Sequence, residues 1–149
     1  MPQLPNTIKK QKGRVITQPG SGKHQMNGPH ESPETIKAID FDGTLAKEVK
    51  PYNPKEAGPP IKSTIKLVKQ WMKDREKIVI FTSRVCSTAH TITEIRYARK
   101  LITAWCRHYL GKSFPITAEK HPKAIMYDNR AHRIETNTGK ILAQENEKV

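Results

Sequence analysis

Cysteine, aromatic residues, acidic residues and long apolar runs are all scarce in this chain, and each shortage narrows what it can be. The two cysteines, Cys86 and Cys106, form no CxxC pair and no Cys/His zinc spacing. They read as reduced thiols, one in a loop and one on a helix, which excludes a disulfide scaffold. No apolar run approaches the roughly 18 residues needed for a helical membrane span. The first residues include lysines but no apolar stretch after them, so no secretory signal is expected. A soluble, cytoplasmic protein is the expectation, with no membrane partner. Acidic residues number 14 against 27 Lys and Arg, giving a formal net charge of +13. An excess of that size suits polyanionic partners, nucleic acid or phosphorylated substrates, as well as a merely solvated basic surface.

Apolar residues are also sparse, at 35% with a mean hydropathy of -0.72, low for a chain packed throughout its length. The shortage is local. Residues 1–33 hold Pro2, Pro5, Pro19, Pro29 and Pro33, four glycines, and the cations Lys9, Lys10, Lys12, Arg14 and Lys23. Such a stretch buries too little surface to offset its ordering entropy. A disordered basic tail is expected there, followed by one domain over residues 34–149. Without the tail's five cations and Glu31, 22 basic and 13 acidic residues remain, still +9.

Patterning begins at Ile36. Ile36, Ala38, Ile39 and Phe41 make a short apolar run ending in Asp-Gly, which predicts a buried strand and a turn. Lys47 to Pro60 is rich in Pro, Gly and charge and reads as a loop or small flap. Ile61, Ile65, Val68, Trp71 and Met72 recur at helical spacing. Lys77 to Thr82 predicts a second buried strand. Ser87 to Leu110 predicts a helix with Gly111 as its stop. Phe114 to Thr117 and Ala124 to Tyr127 predict two more strands, His132 to Glu135 a fifth, and the polar end from Lys140 is expected to fray. Trp71, Trp105 and Tyr109 fit a core better than a base-stacking platform.

Alternating strands and helices predict right-handed crossovers and a parallel sheet covered on both faces. Ligands then bind beyond the carboxyl ends of the strands. The residues just after the apolar runs are Asp40 and Asp42, then Thr82, Ser83 and Arg84, then Asp128, Asn129 and Arg130. Three carboxylates gathered in a cleft need a counter-cation, and a hard, oxygen-seeking Mg²⁺ suits them. One carboxylate can serve as nucleophile while another handles protons. Thr82, backbone N–H groups near Gly43, and a lysine can hold phosphoryl oxygens. Gly111-Lys112-Ser113 and Gly20-Ser21-Gly22-Lys23 do not make a P-loop: the glycine required upstream is Cys106 in the first and Thr17 in the second, where His24 also replaces the Ser or Thr that must follow the lysine.

These residues resemble the motifs of the haloacid dehalogenase superfamily of phosphatases. Asp40-Phe41-Asp42-Gly43-Thr44 is similar to its DxDGT signature. Ile80 to Arg84 resembles the second motif, Lys120 (or Lys123) the lone lysine of the third, and Met126 to Ala131 the acidic fourth. The stretch from Trp105 to Gly139 is similar to small phosphatase-like proteins of bacteriophages. The resemblance implies a Rossmann-like three-layer sandwich without a sizeable cap domain. It implies a Mg²⁺-dependent phosphomonoesterase in which Asp40 forms an aspartyl-phosphate and Asp42 protonates the leaving group, then activates water. The metal would be held by Asp40, the backbone carbonyl of Asp42, Asp128 and Asn129. Thr82, Lys120, Gly43 and Arg84 would bind phosphoryl oxygens. The related phage sequences commonly carry a second acid where this chain has Asn129. An uncapped, basic site suits a polynucleotide 3′-phosphate end or a mononucleotide. The competing expectations are a catalytically weakened nucleic-acid-binding protein of the same fold and a virion-associated protein anchored by its tail.

Overall fold

The computed structural model describes residues 35–142. The expected basic tail and the polar end beyond Leu142 lie outside the described residues. Strand β1 (Ile36–Asp40) is followed by helix α1 (Lys62–Lys73), strand β2 (Lys77–Phe81), a single 3₁₀ turn (Ser83–Val85), helix α2 (Ile92–Leu110), and strands β3 (Ile116–Thr117) and β4 (Ala124–Tyr127). The four strands form one sheet in the order β3-β2-β1-β4, and every neighbouring pair is parallel.

The register explains where the core sits. Ile39, Ile80 and Ile116 stand side by side across β1, β2 and β3. They pack in one cluster with Val68 and Trp71 of α1 and Ile102, Trp105 and Leu110 of α2. Side chains alternate along a strand, so this cluster belongs to one face. The steps β1 to β2 and β2 to β3 run in the same direction, and right-handed crossovers then place both helices on that same face. The return from β3 to β4, Ala118 to Lys123, has no helix. The described residues therefore form two layers, not the three expected. The α/β class and the parallel sheet hold.

Trp71 and Trp105 are buried and Tyr109 packs against the core. Phe41 meets Trp105 edge-on at 5.0 Å between ring centres, and Trp71 meets Tyr127 at 4.7 Å. These contacts join the sheet to both helices, a core role for the aromatics.

Helix α2 starts at Ile92, the first residue of its apolar face and five residues after Ser87, where the sequence predicts its start. Residues 83–90 are spent on the 3₁₀ turn and on turns in which Ala89 and His90 N–H donate to the Cys86 carbonyl. Thr91 and Glu94 then form a reciprocal capping box, which fixes the start. Gly111, at φ +80°, ends the helix as expected. The expected fifth strand is a different structure. Ile134 and Ile141 make one isolated antiparallel bridge around a turn through Asn137 and Gly139. Both isoleucines are at least half exposed, so nothing apolar holds a strand there.

Lys47–Pro60 is a loop, as expected, but a tethered one. Ala46 bridges Pro60, and Lys47 N–H donates to the Pro59 carbonyl at 2.8 Å. The Trp105 indole N–H donates to the Gly58 carbonyl at 2.9 Å, tying the loop to α2. A Cβ at Gly58 would sit 1.9 Å from the Lys47 carbonyl oxygen, so only glycine fits this crossing.

Candidate functional site

Strand order places the site. The chain moves from β1 outward through β2 to β3, then jumps back to put β4 on the other side of β1. The switch point lies between β1 and β4, where the crevice of an open parallel sheet takes ligands. The last residue of β1 is Asp40, and the residue after β4 is Asp128. The two carboxylates share one end of the sheet. The Asp40 carboxyl is pushed up to about 7, first by burial, next by the negative charge of Asp128, with a smaller push from Asp42. Hydrogen bonds from the Phe41 N–H and the Thr44 hydroxyl pull the other way.

Thr44 binds the two strand ends together. Its hydroxyl lies 3.3 Å from Asp40 Oδ2 and 3.2 Å from Asn129 Oδ1, and it accepts from the Asn129 N–H at 3.1 Å. A hydroxyl has one proton, so its donation is shared or alternates between those two oxygens. The turn that carries Thr44 closes through Phe41, whose carbonyl accepts from the N–H groups of Leu45 and Ala46 at 3.0 Å each. Gly43 takes φ +82° within it, and a Cβ there would lie 2.5 Å from Asn129 Nδ2. Glycine both permits the left-handed turn and lets the β4 end approach. Its N–H, expected to bind phosphate, instead donates to the Ala46 carbonyl at 2.7 Å. The closure of the turn consumes that donor.

Asp42 points to a different partner. Arg84 donates from Nε to Asp42 Oδ2 at 2.7 Å and from Nη2 to Oδ1 at 2.8 Å, a two-pronged ion pair. Arg84 is only 3% exposed, and Nη2 also reaches the Glu56 carbonyl at 2.8 Å. Its guanidinium lies 5.1 Å from the Tyr52 ring centre and 5.8 Å from that of Phe41. The sequence suggests that Arg84 binds phosphoryl oxygens. The structure gives its guanidinium to Asp42 and the loop instead, and burial makes that partnership obligatory, because a charge so enclosed needs a counter-charge.

Thr82 follows β2 and is 2% exposed, its hydroxyl accepting from the Arg84 N–H at 3.2 Å. Its own N–H donates to Thr117 at 2.9 Å and fixes the end of the strand. Asp128 accepts from the Arg130 N–H at 2.8 Å. The structure thus brings Asp40, Asp42, Gly43, Thr82, Arg84, Asp128 and Asn129 to one end of the sheet. Lys120 is exposed in the link between β3 and β4, and no hydrogen bond or ion pair joins it to these carboxylates among the described residues. Lys123 lies at the opposite end of the sheet, since its carbonyl accepts from the N–H of Ile36 at the start of β1.

Among the described residues, no three His, Cys, Asp or Glu side chains gather into a metal-binding group. The expected trio of carboxylates is a pair, Asp40 and Asp128, because Asp42 turns toward Arg84. Sequence reasoning missed Tyr52, Pro54 and Glu56, which surround Arg84. They sit in an aperiodic loop where no spacing marks them. Thr44 carried a signal, its place in the DGT turn, but its bridging role depends on β4 arriving beside β1. No family model, curated protein or solved structure matches the chain.

Proposed function

We propose that this protein is a Mg²⁺-dependent phosphomonoesterase in which Asp40 is the nucleophile. The observation that carries the reading is the part-buried Asp40 carboxyl at the switch point, raised to about 7 by burial and by Asp128. A carboxylate in that position is poised between protonated acid and nucleophile, and strongly perturbed acids in a crevice mark sites of chemistry. The available donors fit the metal. Asp40, Asp128, the side-chain carbonyl of Asn129 and the backbone carbonyl of Asp42 are all oxygens, which a hard cation prefers. When bound, Mg²⁺ would neutralise the Asp40–Asp128 pair and polarise the phosphoryl group.

Each residue then has a task. Asp40 Oδ attacks phosphorus and the ester oxygen departs. Thr44, donating to Asp40 Oδ2, orients the attacking carboxylate. Asp42 delivers a proton to the leaving oxygen and later takes one from water. For either role one of its two oxygens must leave the grip of Arg84. Thr82 stands at the end of β2, where its hydroxyl can meet a phosphoryl oxygen.

A screen of phosphomonoesters with Mg²⁺ tests the reading. Wild type should hydrolyse at least one, EDTA should stop it, and Asp40→Asn should lose at least about a thousandfold in kcat, the scale of a lost covalent route. Retention of a tenth of the activity would falsify the nucleophile assignment.

A second reading is favoured by three observations: Arg84 occupies both Asp42 oxygens, Ala46 occupies the Gly43 N–H, and Lys120 is exposed without an ion pair to the carboxylates. In this reading the chain is a catalytically weakened binder of phosphorylated polymers, drawing on its net charge of +13. It predicts salt-dependent oligonucleotide binding with no turnover in the same screen.

A further inference from the structure

Next to the carboxylate end of the sheet lies a cleft of about 390 Å³, with Asp42 and Ser83 in its wall and Tyr52, Lys50, His90 and Arg130 around it. Its size is near the lower end for small-ligand clefts, roughly 300–1,000 Å³, and suits one sugar-linked ring better than a duplex. Tyr52 is 54% exposed although it sits in a tethered loop. The Arg84 guanidinium, 5.1 Å from the ring centre, steadies it. Exposed aromatics held rigid beside cations are what stacking platforms for nucleobases are made of.

We propose that this cleft binds the nucleobase of a nucleotide whose phosphate lies at Asp40, with Tyr52 as the stacking residue. The proposal rests on the phosphomonoesterase reading for the position of the phosphate and names the substrate class of that site. Asp42 links the two regions, because it belongs to the carboxylate end and also lines the cleft. In the proposed chemistry Asp42 serves the leaving oxygen, so the leaving group extends into the cleft. A nucleobase fits Tyr52 better than a bare sugar does. The guanidinium on one side draws electron density from the ring, which favours an electron-rich heterocycle over the C–H groups of a sugar on the other. Arg130 adds positive charge at the rim for a neighbouring phosphate of a polynucleotide, whereas Lys50 is already paired with Glu48 of the same rim at 3.5 Å.

The test is a binding titration of full-length Asp40→Asn protein with Mg²⁺, in which turnover is blocked. The probes are adenosine 5′-monophosphate, adenosine 3′-monophosphate and, as the ligand without a base, ribose 5-phosphate. Adding Tyr52→Ala should weaken at least one adenosine monophosphate by about tenfold, within the range for losing one stacked base, and ribose 5-phosphate by less than about twofold. Tyr52→Trp should restore affinity, and the emission gained by that substitution should be quenched by the same nucleotide and not by the sugar phosphate. Equal losses for nucleotide and sugar phosphate, or no quenching of the emission that Tyr52→Trp adds, would overturn the proposal by reducing Tyr52 to a loop-packing residue. A short oligonucleotide with a terminal phosphate identifies the source of the base: tighter binding than the free nucleotide assigns the cleft to a polynucleotide end, and equal binding to the free nucleotide. The two readings fail separately. Tyr52-dependent nucleotide binding without turnover by wild type keeps the cleft and removes the hydrolase. Turnover of ribose 5-phosphate and nucleotide with equal kcat/KM, insensitive to Tyr52→Ala, keeps the hydrolase and removes the cleft.

Discussion

Replacing Asp40 by Asn should make the metal-free protein more stable, and only above a certain pH. The Asp40 carboxyl titrates at about 7 in the folded protein against an ordinary value of 3.8. The folded state therefore holds its proton more tightly than the unfolded chain does. Stability from this group is fully present below about pH 4 and is lost progressively as pH rises through 7. Above that, an ionised Asp40 faces Asp128 in a part-buried place and strains the fold. A shift of this size corresponds to about 4 kcal/mol if taken at face value. The group is only part-buried, and solvent screening reduces the figure to roughly 1–2 kcal/mol. Asn keeps the shape without the charge, so it should recover that amount at pH 8 and much less at pH 5. For a domain of this size the gain is about 4–8 °C in Tm. Thermal melts of both proteins with EDTA, at the two pH values, measure it. Excess Mg²⁺ should raise the wild-type Tm at pH 8 by more than that of Asp40→Asn, because the variant keeps Asp128 but lacks one of the two charges the cation neutralises. A Tm difference independent of pH, or a less stable variant at pH 8, would refute the electrostatic account of the site.

Other perturbations separate the remaining parts. Arg84→Met should cost about 2–4 kcal/mol by stranding Asp42 and freeing the loop at Glu56, and Arg84→Lys should recover little of it, since a lysine cannot make the two-pronged contact; denaturant melts of both variants check this. Gly43→Ala should cost about 1–2 kcal/mol, mostly from the positive φ, because the Asn129 side chain can swing aside; unfolding of Gly43→Ala with and without Asn129→Ala should then give nearly the same loss. Asn129→Asp adds a second acid beside Asp40, so it should tighten Mg²⁺ binding by calorimetry and lower metal-free stability at pH 8; weaker Mg²⁺ binding would show a site rebuilt around the neutral amide. Deleting residues 1–33 removes five cations, so any nucleic-acid binding should show a shallower dependence of log affinity on log salt, measured by anisotropy.

What the sequence determined is what depends on near neighbours along the chain. The 3–4 spacing from Ile61 to Met72 requires an amphipathic helix, and the run through Ile39 requires a buried strand, because only those geometries collect the apolar side chains on one face. Gly111 ends α2 because it tolerates the left-handed conformation that a helix stop needs. The tight turn after Asp40 was legible from Asp-Gly. Tertiary structure decided everything that depends on which strand lies beside which. The jump of β4 to the far side of β1 brings Asp128 to Asp40, and no local pattern records that jump. The same jump delivers Asn129 to Thr44 and brings its side chain against Gly43, which the positive φ of the turn already reserves for glycine. Arg84 reads in sequence as a cation for phosphate, a surface charge or a salt-bridge partner, with nothing local to choose among them. Only the folded loop, arriving with Tyr52 and the Glu56 carbonyl, buries it against Asp42. A buried charge must find its counter-charge within a few ångströms, and the sequence separation of 42 residues between Arg84 and Asp42 gives no hint of that distance.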